Sequence, residues 1–127
     1  MKTYNSYKPS GIKWIGKIPE HWIRIFLKRI VKVKITDGPH ETPEFIEEGV
    51  PFISAEAIKN NKIDFNFIRG YISKAQDIEY SKKCKPQLED VLIVKSGSTT
   101  GKIAFVDIAM DFNIWSPLAL VTAVTQA

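Results

Sequence analysis

The chain has 127 residues, 44% of them hydrophobic and 25% charged, a composition that fits one globular domain and excludes a disordered segment. No stretch approaches the roughly 18 apolar residues that cross a bilayer, and no signal-peptide pattern opens the chain, so we expect a cytoplasmic protein without a membrane partner. The formal net charge of +4 favours a polyanionic partner.

The N-terminal region contains closely spaced prolines, glycines and tryptophans between Tyr7 and Trp22. Prolines and glycines interrupt regular structure, so residues 1–21 are predicted to form an ordered coil on the domain surface, anchored by aromatic side chains. Residues 23–27 and 31–35 then alternate between apolar and other side chains, a pattern that predicts two short strands.

Basic residues are interleaved with apolar ones in this part of the chain. They either form the solvated side of a half-buried element or hold the phosphates of a polyanion. The residues concerned are Arg24, Lys28, Arg29, Lys32 and Lys34.

Residues 36–43 read TDGPHETP and combine the parts of a catalytic loop with those of a turn. Asp37, His40 and Glu41 supply two carboxylates and an imidazole, the groups used in acid–base catalysis. Gly38 and Pro43 restrict the backbone around them. These residues by themselves leave both interpretations open.

The later elements are mostly strands. An apolar strand is predicted at 50–54, and 73–84 carries the best helix signal, because Ser73 and Gln76 have capping-box spacing. Further strands are predicted within 88–97, 102–109 and 116–127. Strands outnumber helices without a regular β-α-β alternation, which predicts an α+β domain with a mixed, curved sheet and a few short helices. The apolar final run suggests that this sheet is incomplete.

Residues 95–102, KSGSTTGK, join two of the predicted strands. A phosphate-binding loop of the glycine-rich kind needs a helix directly after it, but a strand is predicted here. We therefore predict a hairpin loop with Gly97 and Gly101 as its turn residues. Its lysines and hydroxyl groups could approach phosphates closely, and the alternative is a plain solvent-exposed hairpin.

The sequence contains no complete catalytic or metal-binding pattern. No Asp or Glu is followed two residues later by Lys, and the adjacent acidic pairs at 47–48 and 89–90 would face opposite sides of a strand. Cys84 is the single cysteine, which excludes an intramolecular disulfide and a cysteine-based metal site. We expect a protein without catalytic residues, metal or cofactor.

Five blocks of sequence, in their order and spacing, resemble the target recognition domain of type I restriction-modification specificity subunits. The blocks are YKPSGIKWIGKIPEHW, ITDGPHETPEFIEEGVPFIS, YIS, CKPQLEDVLIVKSGSTTGKIAFVD and FNIWSPLAL. The resemblance covers nearly all of the chain. It implies that residues 1–127 are part of a single N-terminal recognition domain, without the long spacer helices and the second recognition domain of a complete subunit.

The resemblance also implies a function in DNA recognition. Such a subunit is not an enzyme: each recognition domain reads one half of a bipartite target in double-stranded DNA, and the subunit binds methyltransferase subunits and, through them, the restriction subunit. TDGPHETP looks like the family's Asp-Gly-x-His-x-x-Pro signature, which we interpret as a rigid loop near the DNA. The residues expected to contact DNA are Thr36, Asp37, His40, Thr42, Lys95, Ser96, Ser98, Thr99, Thr100 and Lys102, and the expected structural turn residues are Gly38, Pro43, Gly97 and Gly101.

A second hypothesis comes from the apolar C-terminal run. If the sheet is open there, its unpaired edge could pair with a partner chain or with a second copy of the chain. The protein would then be a truncated interaction module that does not bind DNA by itself. Measurements of DNA binding and of self-association separate the two hypotheses.

Overall fold

A computed structural model describes residues 3–31 and 34–122, and the chain divides into two compact units after Ile30. In the first unit, β1 (Tyr7–Pro9) pairs antiparallel with β2 (Lys17–Pro19), and Leu27–Arg29 form one 3-10 turn. The connection between the two strands passes through Gly16, whose φ of +73° is readily adopted by glycine.

Predictions for this region differ from the structure in three respects. Residues 1–21, predicted as coil, contain the β1–β2 hairpin. The strand predicted at 23–27 is wrong, because residues 22–26 have no regular secondary structure and their apolar side chains do not form a buried face. Of the strand predicted at 31–35, residues 32 and 33 lie outside the described residues, and the strand that forms begins at Thr36.

The second unit contains short strands and the α-helix of the described chain. In chain order they are β3 (Thr36–Asp37), β4 (Val50–Ile53), β5 (Ile58–Lys59), β6 (Lys62–Ile63), β7 (Gly70–Ile72), α1 (Lys74–Ser81), β8 (Val91–Val94), β9 (Ile103–Phe105), β10 (Asn113–Ile114) and β11 (Leu118–Val121). Two further 3-10 turns lie at Ala55–Ala57 and Phe65–Phe67.

These strands form separate small sheets. A four-stranded antiparallel sheet has the order β3-β11-β8-β9, and a three-stranded sheet has the order β10-β4-β7. In the second of these, β10 is parallel to β4, whereas β7 is antiparallel to it. Strands β5 and β6 form a hairpin. The predicted α+β class is confirmed.

Two apolar clusters form the core of the second unit. The larger one includes Leu92 and Val94 of β8 together with Leu118 and Leu120 of β11. The smaller one is built around Phe52 of β4, which joins Val50, Ile72 and Tyr80. Burial of one large apolar side chain contributes roughly 1.5–3 kcal/mol, so these clusters fix the strands from which the candidate loops leave.

Helix α1 begins as the sequence predicts. The backbone N–H of Gln76 donates a hydrogen bond of 3.1 Å to the side-chain oxygen of Ser73, which caps the first turn. Asp77 in that turn is buried rather than solvated, and it accepts hydrogen bonds from Lys85 and from the fully buried Asn113. This network connects α1 to β10.

The register of the four-stranded sheet sets the position of two loops. Strands β3 and β8 both run antiparallel to β11, and Ala119 of β11 is opposite both Asp37 of β3 and Ile93 of β8. The two strands therefore run in the same direction, and their C-terminal ends lie next to each other. They share the edge of the sheet that is formed by strand ends, as distinct from the edges formed by the outermost strands β3 and β9. Among the described residues, no helix is long and apolar enough to cross a membrane.

Candidate functional site

The carboxylate of Asp37, at the end of β3, is the centre of a cluster of charged side chains. It accepts hydrogen bonds from His40 Nε2 at 2.8 Å, Lys83 Nζ at 2.7 Å and Lys95 Nζ at 2.6 Å. We call these four residues the Asp37 cluster. The cluster joins the loop that follows β3 to the residues after α1 and to the first residue after β8.

The electrostatics of the cluster favour a charged carboxylate. The hydrogen bond from Lys83, followed by that from Lys95, holds the pKa of Asp37 well below its usual range; partial burial opposes this and His40 reinforces it. A carboxylate with three donors and a lowered pKa is a poor proton acceptor. Asp37 therefore positions other groups more readily than it performs acid–base chemistry.

Glu41, the other carboxylate of the loop, is bonded to different groups. Its side chain accepts a hydrogen bond of 3.1 Å from the hydroxyl of Tyr80, and its backbone carbonyl accepts one of 2.9 Å from the indole of Trp115. Burial, and then the hydrogen bond to Glu41, raise the pKa of Tyr80 to about 12. The structure thus brings Asp37 and His40 together but uses Glu41 to attach the loop to the core.

The two predicted turn residues of this loop are closely packed. A Cβ atom added to Gly38 would lie 2.3 Å from the backbone oxygen of Ile114, so only glycine fits against this part of the chain. The N–H of Gly38 also donates to the carbonyl of Leu118 at 3.2 Å. Pro43 is buried, whereas Thr42 is exposed.

The β8–β9 connection is a hairpin loop, as predicted. Gly97 and Gly101 have φ values of +92° and +94°, in the region that glycine adopts readily. The side chain of Thr100 donates to the carbonyl of Gly97 at 2.6 Å, and the N–H of Lys102 donates to the carbonyl of Thr99 at 3.1 Å. The exposed residues predicted to contact DNA in this loop are Lys95, Ser96, Ser98, Thr100 and Lys102, while Thr99 is half-buried.

The basic residues predicted to hold phosphates are divided between the two units. Within the first unit, Arg24 Nε donates to the carbonyl of Ser10 at 2.7 Å, and the guanidinium of Arg29 lies 5.9 Å from the ring centre of Phe26. The side chain of Lys28 and all of Lys32 lie outside the described part of the chain. Lys34 belongs to the second unit, where it is exposed.

A groove of about 430 Å³ lies beside the Asp37 cluster. Three lysines contribute to its lining, together with neutral polar and apolar groups. The lining residues are Lys34, Thr36, Lys83, Cys84, Lys85, Gln87, Leu120 and Thr122. Cys84 is only 3% exposed, and burial raises the pKa of its thiol, so this cysteine is a neutral packing residue.

Sequence reasoning missed Lys83 and Lys85 as members of this surface. Lys83 fits the dipole of the preceding helix, and nothing local indicates its bond to Asp37, 46 residues away. Lys85 is bonded to Asp77 at 3.1 Å and to Asp111 at 2.5 Å. Lysines at the alternating positions 83 and 85 after a helix only weakly indicate a shared surface. Their common position beside the groove becomes visible only in the fold.

Among residues 3–31 and 34–122, no three His, Cys, Asp or Glu side chains are placed to hold a metal ion together. No family model matches the sequence, and no curated protein matches it. The relationship to type I specificity subunits is therefore a prediction that depends on the five sequence blocks.

Proposed function

We propose that this chain recognises double-stranded DNA sequence-specifically, as part of the specificity subunit of a type I restriction-modification complex. In this role it reads one half of a bipartite target in the cytoplasm and has no catalytic activity of its own. Its further partners are the methyltransferase subunits and, through them, the restriction subunit. The chemistry of DNA methylation and cleavage belongs to those subunits.

The observation that carries the proposal is the meeting of two loops at one edge of the four-stranded sheet. The loop after β3 and the loop after β8 leave this edge side by side, and the 2.6 Å bond between Lys95 and Asp37 joins them. These are the two loops in which the sequence resemblance places DNA contacts. A pair of polar loops on a packed sheet is a suitable support for groups that read a groove.

The exposed side chains at this edge have the chemistry that DNA recognition requires. Lysine ammonium groups attract phosphates and supply affinity without sequence information. Hydroxyl and imidazole groups donate and accept hydrogen bonds, as contacts with base edges require. Thr42 and His40 in one loop, with Ser98 and Thr100 in the other, are exposed and provide such groups.

The test is binding of the purified chain to a randomised pool of DNA duplexes at two salt concentrations, with sequencing of the retained duplexes. We expect enrichment of one short half-site and weaker retention at the higher salt concentration, because phosphate contacts release counterions. Salt-sensitive retention without an enriched sequence would contradict sequence-specific reading. A complete lack of retention would contradict DNA binding by this chain.

The alternative of an interaction module loses its original basis in the described residues. That alternative requires an open sheet edge at the apolar C-terminal run, but Leu118–Val121 form β11, which lies between β3 and β8 and is paired on both sides. The rest of that run, residues 123–127, lies outside the described residues. Self-association of the chain stays a prediction, and the measurement of its mass at several concentrations tests it.

A further inference from the structure

The Asp37 cluster contains more positive than negative charge, and its cations are the outer groups. The side chains of Lys83 and Lys95 are 58% and 44% exposed, whereas that of Asp37 is 15% exposed. Both ammonium groups converge on one carboxylate from elements that are distant in sequence. The carboxylate therefore holds two cations in place while leaving part of each accessible to solvent.

The neighbouring ion pairs of Lys85 contain more negative than positive charge. One ammonium group, 22% exposed, is shared by two carboxylates, Asp77 and Asp111. Asp77 is buried and also bonded to Asn113, so this network pairs a buried carboxylate and connects structural elements. The excess of exposed cations is a property of the Asp37 cluster and not of lysine pairs in general.

We infer that Lys83 and Lys95, with His40 beside them, form an anion-binding site that Asp37 occupies in the free protein. A phosphate group of a polyanion competes with the Asp37 carboxylate for the two lysines. Carboxylate and phosphate oxygens accept the same charge-assisted hydrogen bonds from an ammonium group, so Asp37 keeps the lysines oriented for this ligand. The inference deepens the proposed function, on which it rests for the identity of the polyanion as DNA.

The net effect of Asp37 is then to lower the affinity for the ligand, although it orients the lysines. Its negative charge repels an incoming phosphate, and each lysine that it holds is less available to the ligand. Removal of that charge should strengthen binding to any polyanion and increase the number of counterions released. Each phosphate contact that is gained steepens the dependence of log K on log salt by about 0.9.

The test compares Asp37→Asn with Asp107→Asn in the full 127-residue chain. Both variants lose one negative charge. Asp107 follows β9, which runs antiparallel to β8, so it lies near the opposite edge of the sheet from Lys95, and its exposed pair with Lys62 is 3.7 Å long. The probes are immobilised heparin, as a polyanion without bases, and a duplex of mixed sequence.

We expect Asp37→Asn to elute from heparin at a higher salt concentration than both the wild-type chain and Asp107→Asn. On the duplex we expect several-fold tighter binding and a salt dependence steeper by about one contact. Equal behaviour of the two variants on heparin would overturn the inference, because the gain would then come from net charge. The two variants could differ on heparin while the randomised pool yields no enriched sequence. That result would support the anion-binding site and contradict the proposed function.

A second pair of variants decides the question if Asp37→Asn fails to fold. Lys83→Gln removes a member of the cluster, and Lys82→Gln removes its neighbour, which is bonded to Glu79 at 2.9 Å on the helix surface. Lys83→Gln should elute from heparin at a lower salt concentration than Lys82→Gln. Elution of both at the same salt concentration overturns the inference.

Discussion

Tyr80 in α1 donates a hydrogen bond of 3.1 Å to the carboxylate of Glu41, which is 39 residues earlier in the chain. Lys83, just after the same helix, is bonded to Asp37. The end of α1 therefore holds the TDGPHETP loop at two points: a part-buried contact donated by the neutral Tyr80, and an exposed pair of charged groups, Lys83 and Asp37. Substitution of Tyr80 tests stability, whereas substitution of Asp37 tests both stability and ligand binding.

The tyrosine contact predicts an unusual alkaline titration. The pKa of Tyr80 is raised to about 12, so one of the four tyrosines of the folded chain should ionise well after the ordinary value of 10.0. Absorbance of the phenolate against pH should show this late step, and Tyr80→Phe should remove it. In denaturant all tyrosines should titrate together near pH 10, and a folded chain without a late step would contradict the prediction.

The same shift makes stability depend on pH in a defined direction. The folded pKa of Tyr80 is raised, so its contribution to the free energy of unfolding is complete below pH 10 and is lost as the pH rises towards 12. Tyr80→Phe should cost about 1 kcal/mol at neutral pH, because a hydrogen bond is lost. Denaturant unfolding at several pH values should show this difference shrinking above pH 10, and a constant difference would contradict the assignment.

The contribution of Asp37 to the free energy of unfolding should depend on pH in the opposite direction and be lost in acid. Its folded pKa is lowered from the ordinary 3.8, so its contribution is complete above about pH 5 and is lost as the pH falls below that ordinary value. Asp37→Asn should lower the free energy of unfolding by about 1–3 kcal/mol at neutral pH and by progressively less towards pH 2. Asp107→Asn is the control, because removal of an exposed pair should cost at most about 1 kcal/mol.

A cost that does not change with pH for Asp37→Asn would contradict the pairing of Asp37 with the two lysines. Unfolding by denaturant at each pH is the appropriate measurement, since it reports the free energy and not only a melting temperature.

Removal of the buried polar side chain of Asn113 should lower the free energy of unfolding. It is fully buried, its amide donates to Asp77 at 3.1 Å, and its side-chain oxygen accepts from the N–H of Ile114 at 2.8 Å. Asn113→Ala leaves that N–H without this partner, which should cost about 1–3 kcal/mol. Asn66→Ala, at an exposed position, should change stability by less than about 0.5 kcal/mol, and equal costs would show that the network is unimportant.

The β8–β9 loop should separate affinity from specificity. Lys102→Ala should weaken binding to all duplexes about equally and reduce the salt dependence, because it removes the phosphate contact that we propose for this residue. Thr99→Ala should instead cost roughly 1–3 kcal/mol at one base position of the preferred site. Titration of each protein variant against the enriched duplex and against duplexes with single-base changes measures both effects. Unchanged binding by both Lys102→Ala and Thr99→Ala would contradict the assignment of this loop.

Elements defined by local pattern were predictable from the sequence. Ser73 and Gln76 indicate the start of α1, and the apolar residues on both sides of KSGSTTGK indicate β8, β9 and the hairpin loop between them. In each case the signal and the structure lie within a few residues of one another. The α+β class followed from the order of such elements.

Long-range pairings were not predictable in the same way. The alternation at 23–27 resembles a strand, but a strand forms only where a neighbouring strand is available, and none pairs with these residues in the described chain. Likewise, the bonds from Lys83 and Lys95 to Asp37 span 46 and 58 residues, so no local spacing reveals them. The two candidate loops were predicted separately, and only the register around β11 shows that they meet.

The position of β11 between β3 and β8 also constrains the order of assembly during synthesis. Strand β11 follows both of its neighbours in the chain, so the ribosome must release residues 118–121 before β3 and β8 can be joined through it. A nascent chain that ends before residue 118 contains both loops but not the strand that brings them to one edge. Contacts of such long sequence separation are slow to form, so the Asp37 cluster should be among the last parts of this unit to assemble.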